Sequence, residues 1–136
     1  MKRTGRRSDC PINYALQTFG DPWSLLVLRD LMFTDRRSYS DFLHAEEGIA
    51  TNILADRLVW LQDVDVIRKI GHGKGARYAL TAKGLDLLPA MLELIRWSAT
   101  HDARTGAPKA FVSRINEQRA SLEKVIRDQL SAEFEL

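Results

Sequence analysis

The sequence has little of what metal sites and enzymes need. Its one cysteine, Cys10, excludes a disulfide framework within the chain and a cysteine-rich zinc site. Its three histidines, His44, His72 and His101, lie on different predicted elements, with no carboxylate at metal-ligand spacing. Catalysis requires a nucleophile, a base and an orienting group together. We therefore predict no metal, no cofactor and no enzymatic activity.

Long apolar runs are also missing. No stretch reaches the roughly 20 uninterrupted apolar residues that cross a bilayer. Behind the basic start, Asp21, Pro22 and Arg29 interrupt the apolar residues, so no signal peptide is predicted. We expect a cytoplasmic protein without a membrane partner. With 136 residues, 45% of them hydrophobic, the chain can bury one globular core.

The net charge of +2 is too small to indicate a nucleic-acid partner by itself, but its distribution is uneven. Basic residues without an acidic neighbour occupy residues 66–84, namely Arg68, Lys69, Lys74, Arg77 and Lys83. Residues 1–9 are also mainly basic, and the last twenty residues are mainly acidic. This pattern is expected when one face meets phosphate, although chance clustering on a neutral surface would look the same.

Residues 48–67 predict an amphipathic helix. An apolar stripe recurs at helical spacing and consists of Ala50, Leu54, Leu58 and Leu61. Small and polar residues lie roughly opposite, namely Asn52, Ala55, Asp56 and Asp63, with Val59 among them and Thr51 at the flank. Such a helix can enter a DNA major groove and reach base edges. An ordinary helix with a solvated outer face would show the same pattern.

Two helices are predicted near the start of the chain. Cys10-Pro11 opens the first and Gly20 ends it. Its apolar side consists of Ile12, Ala15, Leu16 and Phe19. Asp21-Pro22 then supplies the N-cap and first residue of a buried second helix, which extends to about Phe33.

A short helix completes a two-helix motif. Ser38-Tyr39 is predicted to be a brief strand, and Ser40 to be the N-cap of a helix that continues to about Ala45. A turn containing Gly48 leads into the amphipathic helix. This order is typical of a helix-turn-helix.

A basic hairpin follows. Residues 66–70 alternate and are rich in β-branched side chains, residues 71–75 form a glycine-rich tip, and residues 77–80 return as a strand. We interpret this hairpin as a wing, with Lys74 and Arg77 facing phosphate. A nucleotide-binding P-loop is excluded, because no helix follows the glycines and the lysine lacks a following serine or threonine. Thr81 is predicted to cap the next helix.

Taken in this order, the motifs resemble the HxlR family of bacterial winged-helix transcription regulators, relatives of the MarR type. The matching residues are Cys10-Pro11-Ile12, Gly20-Asp21-Pro22-Trp23-Ser24-Leu25-Leu26-Val27-Leu28-Arg29, Arg36-Arg37-Ser38-Tyr39-Ser40-Asp41-Phe42, Gly48-Ile49-Ala50, Leu54-Ala55-Asp56-Arg57-Leu58, Leu61, Tyr78-Ala79-Leu80-Thr81, Gly84, Trp97 and His101. Asp65 stands where the family usually has glycine, and aspartate tolerates a left-handed cap better than most residues.

The resemblance implies a mainly helical α+β fold: a winged helix-turn-helix domain with N- and C-terminal dimerisation helices. We expect a basic arm over residues 1–9, the winged domain over residues 10–102, and a single C-terminal helix within residues 103–136 that serves dimerisation. The apolar face of residues 109–132 is the expected dimer contact, and consists of Phe111, Ile115, Leu122, Val125, Ile126 and Leu130. The alternative is that this region packs onto its own domain.

The function implied is that of a homodimer that binds a pseudo-palindromic operator in double-stranded DNA and represses or activates nearby genes. Two-fold pairing would place two recognition helices about 34 Å apart, one DNA turn. The candidate DNA-binding residues are Arg36, Arg37, Ser40, Ala50, Thr51, Asn52, Ala55, Asp56, Arg57, Lys74 and Arg77. Thr51 and Asn52 are the expected base readers, since asparagine can pair with adenine. A winged helix used only for protein contacts is the alternative function.

Three of these assignments have alternatives within the fold. Asp56 either accepts from a cytosine amino group or pairs with a neighbouring residue. Arg57 holds either a phosphate or an acidic residue of the protein. The turn around Arg36, Arg37 and Ser40 either contacts phosphate or is only solvated.

Cys10 is a candidate redox site. Some members of the family that this chain resembles sense oxidants or electrophiles through the cysteine at this position, so an oxidant or small-molecule effector is expected. The start of a helix favours a thiolate, and Arg6 and Arg7 would add to this effect while Asp9 would oppose it. The alternative is an inert cysteine packed under Pro11.

Overall fold

The computed structural model describes residues 5–136, and the chain divides into two compact units at the Thr81–Ala82 bond. The first unit carries the first two helices, the helix-turn-helix and the wing. The second carries the remaining helices. This division falls inside the residues 10–102 that were expected to form one domain. Residues 1–4 of the expected basic arm lie outside the described residues.

The first two helices are α1, Pro11–Phe19, and α2, Ser24–Phe33. Gly20 ends α1 as predicted, and a side chain there would clash with the Leu16 carbonyl oxygen. The predicted start of α2 at Pro22 is wrong by two residues. The Asp21 carboxylate still caps the helix, because it accepts the backbone N–H groups of Trp23 and Ser24 at 2.8 and 2.9 Å.

The helix-turn-helix consists of α3, Tyr39–Leu43, and α4, Thr51–Asp63. The predicted N-cap at Ser40 is wrong, because Ser38 holds that position. Its hydroxyl accepts the Asp41 N–H at 3.1 Å, and the Asp41 carboxylate accepts the Ser38 N–H at 3.1 Å. This reciprocal capping box requires an acidic side chain three residues after the cap, which Ser40 lacks.

The predicted apolar stripe of α4 is buried at Leu54, Leu58 and Leu61. Ala50 does not belong to it, since it is the exposed N-cap residue. Asp65 adopts the left-handed conformation after the helix, with φ 60°, in agreement with its expected tolerance for that geometry.

The wing is an antiparallel pair of strands, β1, Ile67–Ile70, and β2, Arg77–Leu80. Ile67 pairs with Leu80 and Ile70 with Arg77, and a short 3₁₀ turn, Gly73–Gly75, lies at the tip. The predicted hairpin is confirmed, with its first strand one residue shorter. The predicted strand at Ser38-Tyr39 reduces to a single bridge between Ser38 and Arg77, because Tyr39 already begins α3.

The second unit contains α5, Ala82–Leu85, α6, Leu88–His101, α7, Lys109–Glu117, and α8, Arg119–Phe134. The single helix predicted over residues 109–132 is therefore two helices. Gln118 breaks it, because its φ of −137° and ψ of 38° are not helical.

The apolar face expected to form a dimer contact is divided between buried and exposed residues. Ile115, Leu122 and Leu130 are buried in the single chain, whereas Val125 is exposed. An Arg119–Glu93 ion pair of 2.9 Å joins α8 to α6. These contacts favour packing within the chain for much of this face.

Candidate nucleic-acid interface

One side of α4 is open to solvent. Thr51, Asn52 and Ala55 are exposed there, and Val59 is 57% exposed. Their spacing of one, four and eight residues places them on one helical face. The face therefore offers a hydroxyl and an amide for hydrogen bonding, together with methyl groups that suit the thymine C5-methyl. Val59 was noted on this face in the sequence but was not included among the candidate residues.

The start of α4 is held by α3. The Tyr39 hydroxyl donates to the Thr51 carbonyl oxygen at 3.1 Å. Ser40 is exposed in the first turn of α3, beside this contact in sequence. Sequence reasoning missed Tyr39, because it was assigned to a strand. Ser40 is therefore an exposed residue of the helix that contacts the start of α4.

Arg37 does not face solvent. It is 6% exposed, and its Nη1 donates to the carbonyl oxygens of Thr34 and Arg36, both at 2.7 Å. A third carbonyl, that of Asp30, lies at 3.2 Å. The guanidinium thus satisfies the backbone of the turn after α2, and we remove Arg37 from the proposed phosphate contacts.

A buried carboxylate organises the neighbouring arginines. Asp30 Oδ1 accepts from Arg29 Nε at 3.0 Å and lies 3.3 Å from Arg36 Nη1. Arg29 also donates through two nitrogens to the Glu47 carboxylate, at 2.5 and 2.9 Å. The hydrogen bond from Arg29 lowers the pKa of Glu47. Since Glu47 lies in the turn before α4, this network ties that turn to α2, and Arg36 remains half-buried at its edge.

Arg57 is a buried residue of α4, 4% exposed. Its Nη1 lies 3.3 Å from Asp21 Oδ2, and its Nε donates to Asp56 Oδ2 at 3.1 Å. Nη2 donates to the same Asp56 oxygen. Burial opposes the charged form, but the hydrogen bond to Asp56 and the charge of Asp21 outweigh it and raise the pKa of Arg57. The prediction that Arg57 contacts DNA is therefore wrong, because its guanidinium pairs with acidic residues of the protein itself.

The contact with Arg57 also helps to stabilise the charged form of the Asp21 carboxylate. Burial would raise its pKa, yet hydrogen bonds from the Ser24 hydroxyl and from the backbone of Trp23 and Ser24, together with the charge of Arg57, leave the pKa of Asp21 lowered. Asp56 pairs with Arg57 while remaining partly exposed. Of the two alternatives for Asp56, the structure therefore favours pairing with a neighbouring residue.

The wing presents its cations to solvent. Lys74 at the tip and Arg77 at the start of β2 are both exposed, as predicted for side chains that meet phosphate. Lys69 on β1 is exposed as well and was not among the candidates. Gly71 and Gly73 have φ of 82° and 63°, a conformation that favours glycine and allows the tight turn.

Cys10 is exposed at the N-cap of α1. Arg6 is paired with Asp9 at 3.3 Å, and Arg7 donates to the Asn13 side chain at 2.6 and 3.0 Å. The two arginines expected to act on the thiol thus have other partners. The exposure of Cys10 does not fit the alternative of a cysteine packed under Pro11.

Two kinds of site do not occur among residues 5–136. No group of three or more histidine, cysteine, aspartate or glutamate side chains is placed to share a metal ion there. Within the same residues, every helix is too short or too polar to cross a membrane.

The order of elements defines the class of protein. A short helix, a turn, a longer helix with an open polar face and a basic hairpin form a winged helix-turn-helix. Residues 18–105 match the HxlR-like helix-turn-helix family, and the chain belongs to that family. The resemblance found in the sequence and the predicted fold class are confirmed.

Three known proteins show how far the similarity extends. An uncharacterised HTH-type transcriptional regulator of Synechocystis sp. is 31% identical over 88 residues, which are 62% of this chain and 64% of that protein. The crystal structure of PA1607, a proposed transcription factor, matches with a TM-score of 0.64 and 31% identity, over 76% of this chain and 71% of that one. The redox regulator HypR in its oxidised form matches with a TM-score of 0.59 over 68% of this chain and 97% of its own.

At 21% identity, the likeness to HypR concerns the fold. The chain spans less than two thirds of the length of the Synechocystis relative.

Proposed function

We propose that this protein is a sequence-specific DNA-binding transcriptional regulator that acts as a homodimer on a pseudo-palindromic operator. The observation that carries the proposal is the open face of α4. Thr51, Asn52 and Ala55 are exposed on a helix whose other side is buried and whose start is held by Tyr39. Membership of the HxlR-like family supports the same function.

The contacts divide into base reading and phosphate binding. Asn52 reads adenine through its amide, Thr51 supplies a hydroxyl, and Val59 packs against a thymine methyl group. The exposed Ser40 hydroxyl and the wing cations bind phosphate and set the register of the helix in the groove. We add Lys69 to the wing contacts, alongside Lys74 and Arg77.

Two exposed apolar faces support a homodimer. On α1, Ile12 is 71% exposed and Leu16 is also exposed. On α6, Trp97 is 58% exposed and Leu94 is also exposed. Large apolar side chains grouped on helix faces in this way mark interaction surfaces. A two-fold pairing through them would match the symmetry of an operator with two half-sites.

We further propose that an oxidant acts on Cys10. The thiol is exposed at the start of α1, the helix with the open apolar face, and HypR, which shares this fold, is named a redox regulator. The chain has no second cysteine, so peroxide oxidises the thiol to a sulfenic acid, which either persists or condenses, with release of water, with a small thiol or with the same cysteine of a second subunit. Alkylation of the native protein and repeated binding after peroxide treatment test this. An inaccessible thiol, or unchanged DNA binding, would overturn it.

Selection of duplexes from a random pool tests the main proposal and identifies the operator in the same experiment. We expect an inverted repeat whose half-sites lie about 10 base pairs apart, bound with an affinity that falls as salt rises. Sedimentation of the complex should give two chains per duplex. A pool that yields no common sequence and no salt-sensitive binding would instead favour a module for protein contacts.

A further inference from the structure

We infer that Arg57 and Trp60 are positioning residues, which fix the angle of the recognition helix by tying α4 to the end of α1 and the start of α2. Neither residue belongs to the open face of α4. The inference rests on the proposed function, and it names side chains that control base reading without touching DNA.

Apolar packing alone leaves the angle of α4 loosely defined. Leu54, Leu58 and Leu61 are buried, but burial of apolar area is non-directional. Hydrogen bonds and ion pairs require particular distances and angles, so they select one arrangement among several that bury similar area. The polar contacts of this buried side therefore carry the orientation.

The first such contact is the one between Arg57 and Asp21. The Asp21 carboxylate is itself fixed, because it accepts the Trp23 N–H, the Ser24 N–H and, at 2.6 Å, the Ser24 hydroxyl. It cannot move without uncapping α2. Arg57 Nη1, 3.3 Å away, is thus held against a rigid point of the α1–α2 turn.

The second contact lies one helical turn further along. Trp60 Nε1 donates to the Thr18 carbonyl oxygen at 2.7 Å, and Thr18 is a buried residue near the end of α1. Residues three apart lie on the same side of a helix. Two polar contacts on one side, an ion pair and a hydrogen bond, define the direction of the α4 axis, which a single contact would not.

The geometry shows why this matters for base reading. Asn52 precedes Arg57 by five residues, which is about 7.5 Å along the helix axis. A tilt of about 10° at the two contacts would move Asn52 by about 1 Å, from the same helical rise. Donor–acceptor distances of good hydrogen bonds span only about 0.5 Å. A small loss of orientation therefore removes the contacts that distinguish one base from another.

Stability alone does not account for an arginine in this position. Replacing a buried ion pair by apolar side chains of similar volume is often neutral or stabilising. Arg57 is buried on the same helix as Leu54, Leu58 and Leu61, so an apolar side chain would be consistent with the burial of that position. The guanidinium makes a polar contact at a defined position, which a leucine side chain could not make.

The test uses the full-length protein with two variants. The double variant Arg57→Leu/Asp21→Asn replaces the ion pair, while the amide oxygen of the new asparagine can still accept the helix-capping N–H groups. Trp60→Phe removes one N–H and keeps an aromatic ring. Two control variants remove contacts in residues 82–136. Arg127→Leu/Asp86→Asn makes the same pair of substitutions at an exposed 3.2 Å ion pair, so the net charge is again unchanged, and Thr100→Val loses its 2.8 Å bond to the Arg96 carbonyl.

Fluorescence anisotropy on the selected operator and on a random duplex gives the main readout, with thermal unfolding of each variant in parallel. We expect both test variants to bind the operator about 10-fold more weakly, the equivalent of about 1.4 kcal/mol, and the random duplex within about 2-fold of the parent. Unfolding temperatures should stay within a few degrees of the parent. Controls should retain both affinities.

Hydrogen exchange of the α4 amides, measured without DNA, gives an independent readout. We expect faster exchange in both test variants and no change of rate in the controls. Unchanged operator affinity would overturn the inference, as would equal losses on both duplexes. If the parent itself shows no sequence preference, the proposed function fails, and unchanged exchange in α4 then overturns the positioning role as well.

Discussion

Two regions of the molecule, α4 and the wing, place their cations differently. In α4, Arg57 is buried and pairs with Asp21 and Asp56. In the wing, Lys74 and Arg77 are exposed at a glycine-rich hairpin. A solvated cation can exchange its counterions for a phosphate, whereas a buried one contributes through the geometry of its protein partners. Positive charge in the sequence therefore does not by itself locate the proposed DNA contacts.

The largest expected effect is on the free energy of unfolding, which distinguishes the buried arginine of α4 from the exposed one of the wing and needs no DNA. Arg57→Ala should lower the free energy of unfolding by about 3 kcal/mol, because it leaves Asp21 without its cation in a largely buried position. Arg77→Ala should change it by less than about 0.5 kcal/mol, as for other surface substitutions. Urea unfolding followed by circular dichroism measures both. Equal losses in the two variants would remove the distinction between the regions.

The next effect concerns the open face of α4. Asn52→Ala should weaken operator binding by roughly 1–3 kcal/mol and leave binding to random duplex nearly unchanged, since it removes a base contact and no charge. Competition binding at fixed salt measures the two affinities, with exposed Asn116→Ala on α7 as the matched control. A loss of the same size on both duplexes would mean that Asn52 does not read a base.

Substitutions in the wing should weaken binding without regard to sequence, unlike Asn52→Ala. Lys74→Ala combined with Arg77→Ala should weaken binding to operator and random duplex alike, and should flatten the salt dependence by roughly 0.9 per lost phosphate contact. Titrations over a series of salt concentrations give the slope. An unchanged slope would show that these cations do not meet phosphate.

The smallest effect is the acid dependence of the Asp21 carboxylate, which the Ser24 hydroxyl, two backbone N–H groups and Arg57 stabilise in its charged form. Its pKa in the folded protein lies below the ordinary value of 3.8, so its contribution to stability is present above that value and is lost as the pH falls through the folded pKa. Unfolding measured from about pH 5 to about pH 2 should show a shallower loss of stability in Asp21→Asn than in the parent. Identical pH profiles would contradict the hydrogen bonds and the ion pair assigned to the Asp21 carboxylate.

Most of the fold could be predicted because its signals are local. The leucine spacing of α4 and the glycine-rich hairpin need only short stretches of sequence. The cap of α3 was misplaced by two residues because Ser38 and Ser40 are both good caps, and only the reciprocal bond with Asp41 distinguishes them. The break at Gln118 also escaped prediction, since glutamine is a good helix former and the apolar spacing continues across it.

The site was less predictable because exposure depends on tertiary partners. Thr51 and Asn52 followed from their helical face alone. The burial of Arg57 and Arg37 could not be predicted in this way. Arg57 pairs with Asp21, which is 36 residues away in sequence, and Arg37 binds backbone carbonyls. The Tyr39 contact with Thr51 likewise needed the path of the chain between α3 and α4.

The wing is attached to the rest of the first unit at its base, and its tip is exposed. The Tyr78 N–H donates to the Arg37 carbonyl at 2.7 Å, and Ser38 bridges Arg77, so the base of the hairpin is fastened to the residues that open α3. The opposite end, residues 71–75, carries two left-handed glycines and is exposed throughout. We expect any bending of the hairpin to concentrate at the tip, so that Lys74 would adjust to the proposed phosphate contact while the base keeps its alignment with the helix-turn-helix.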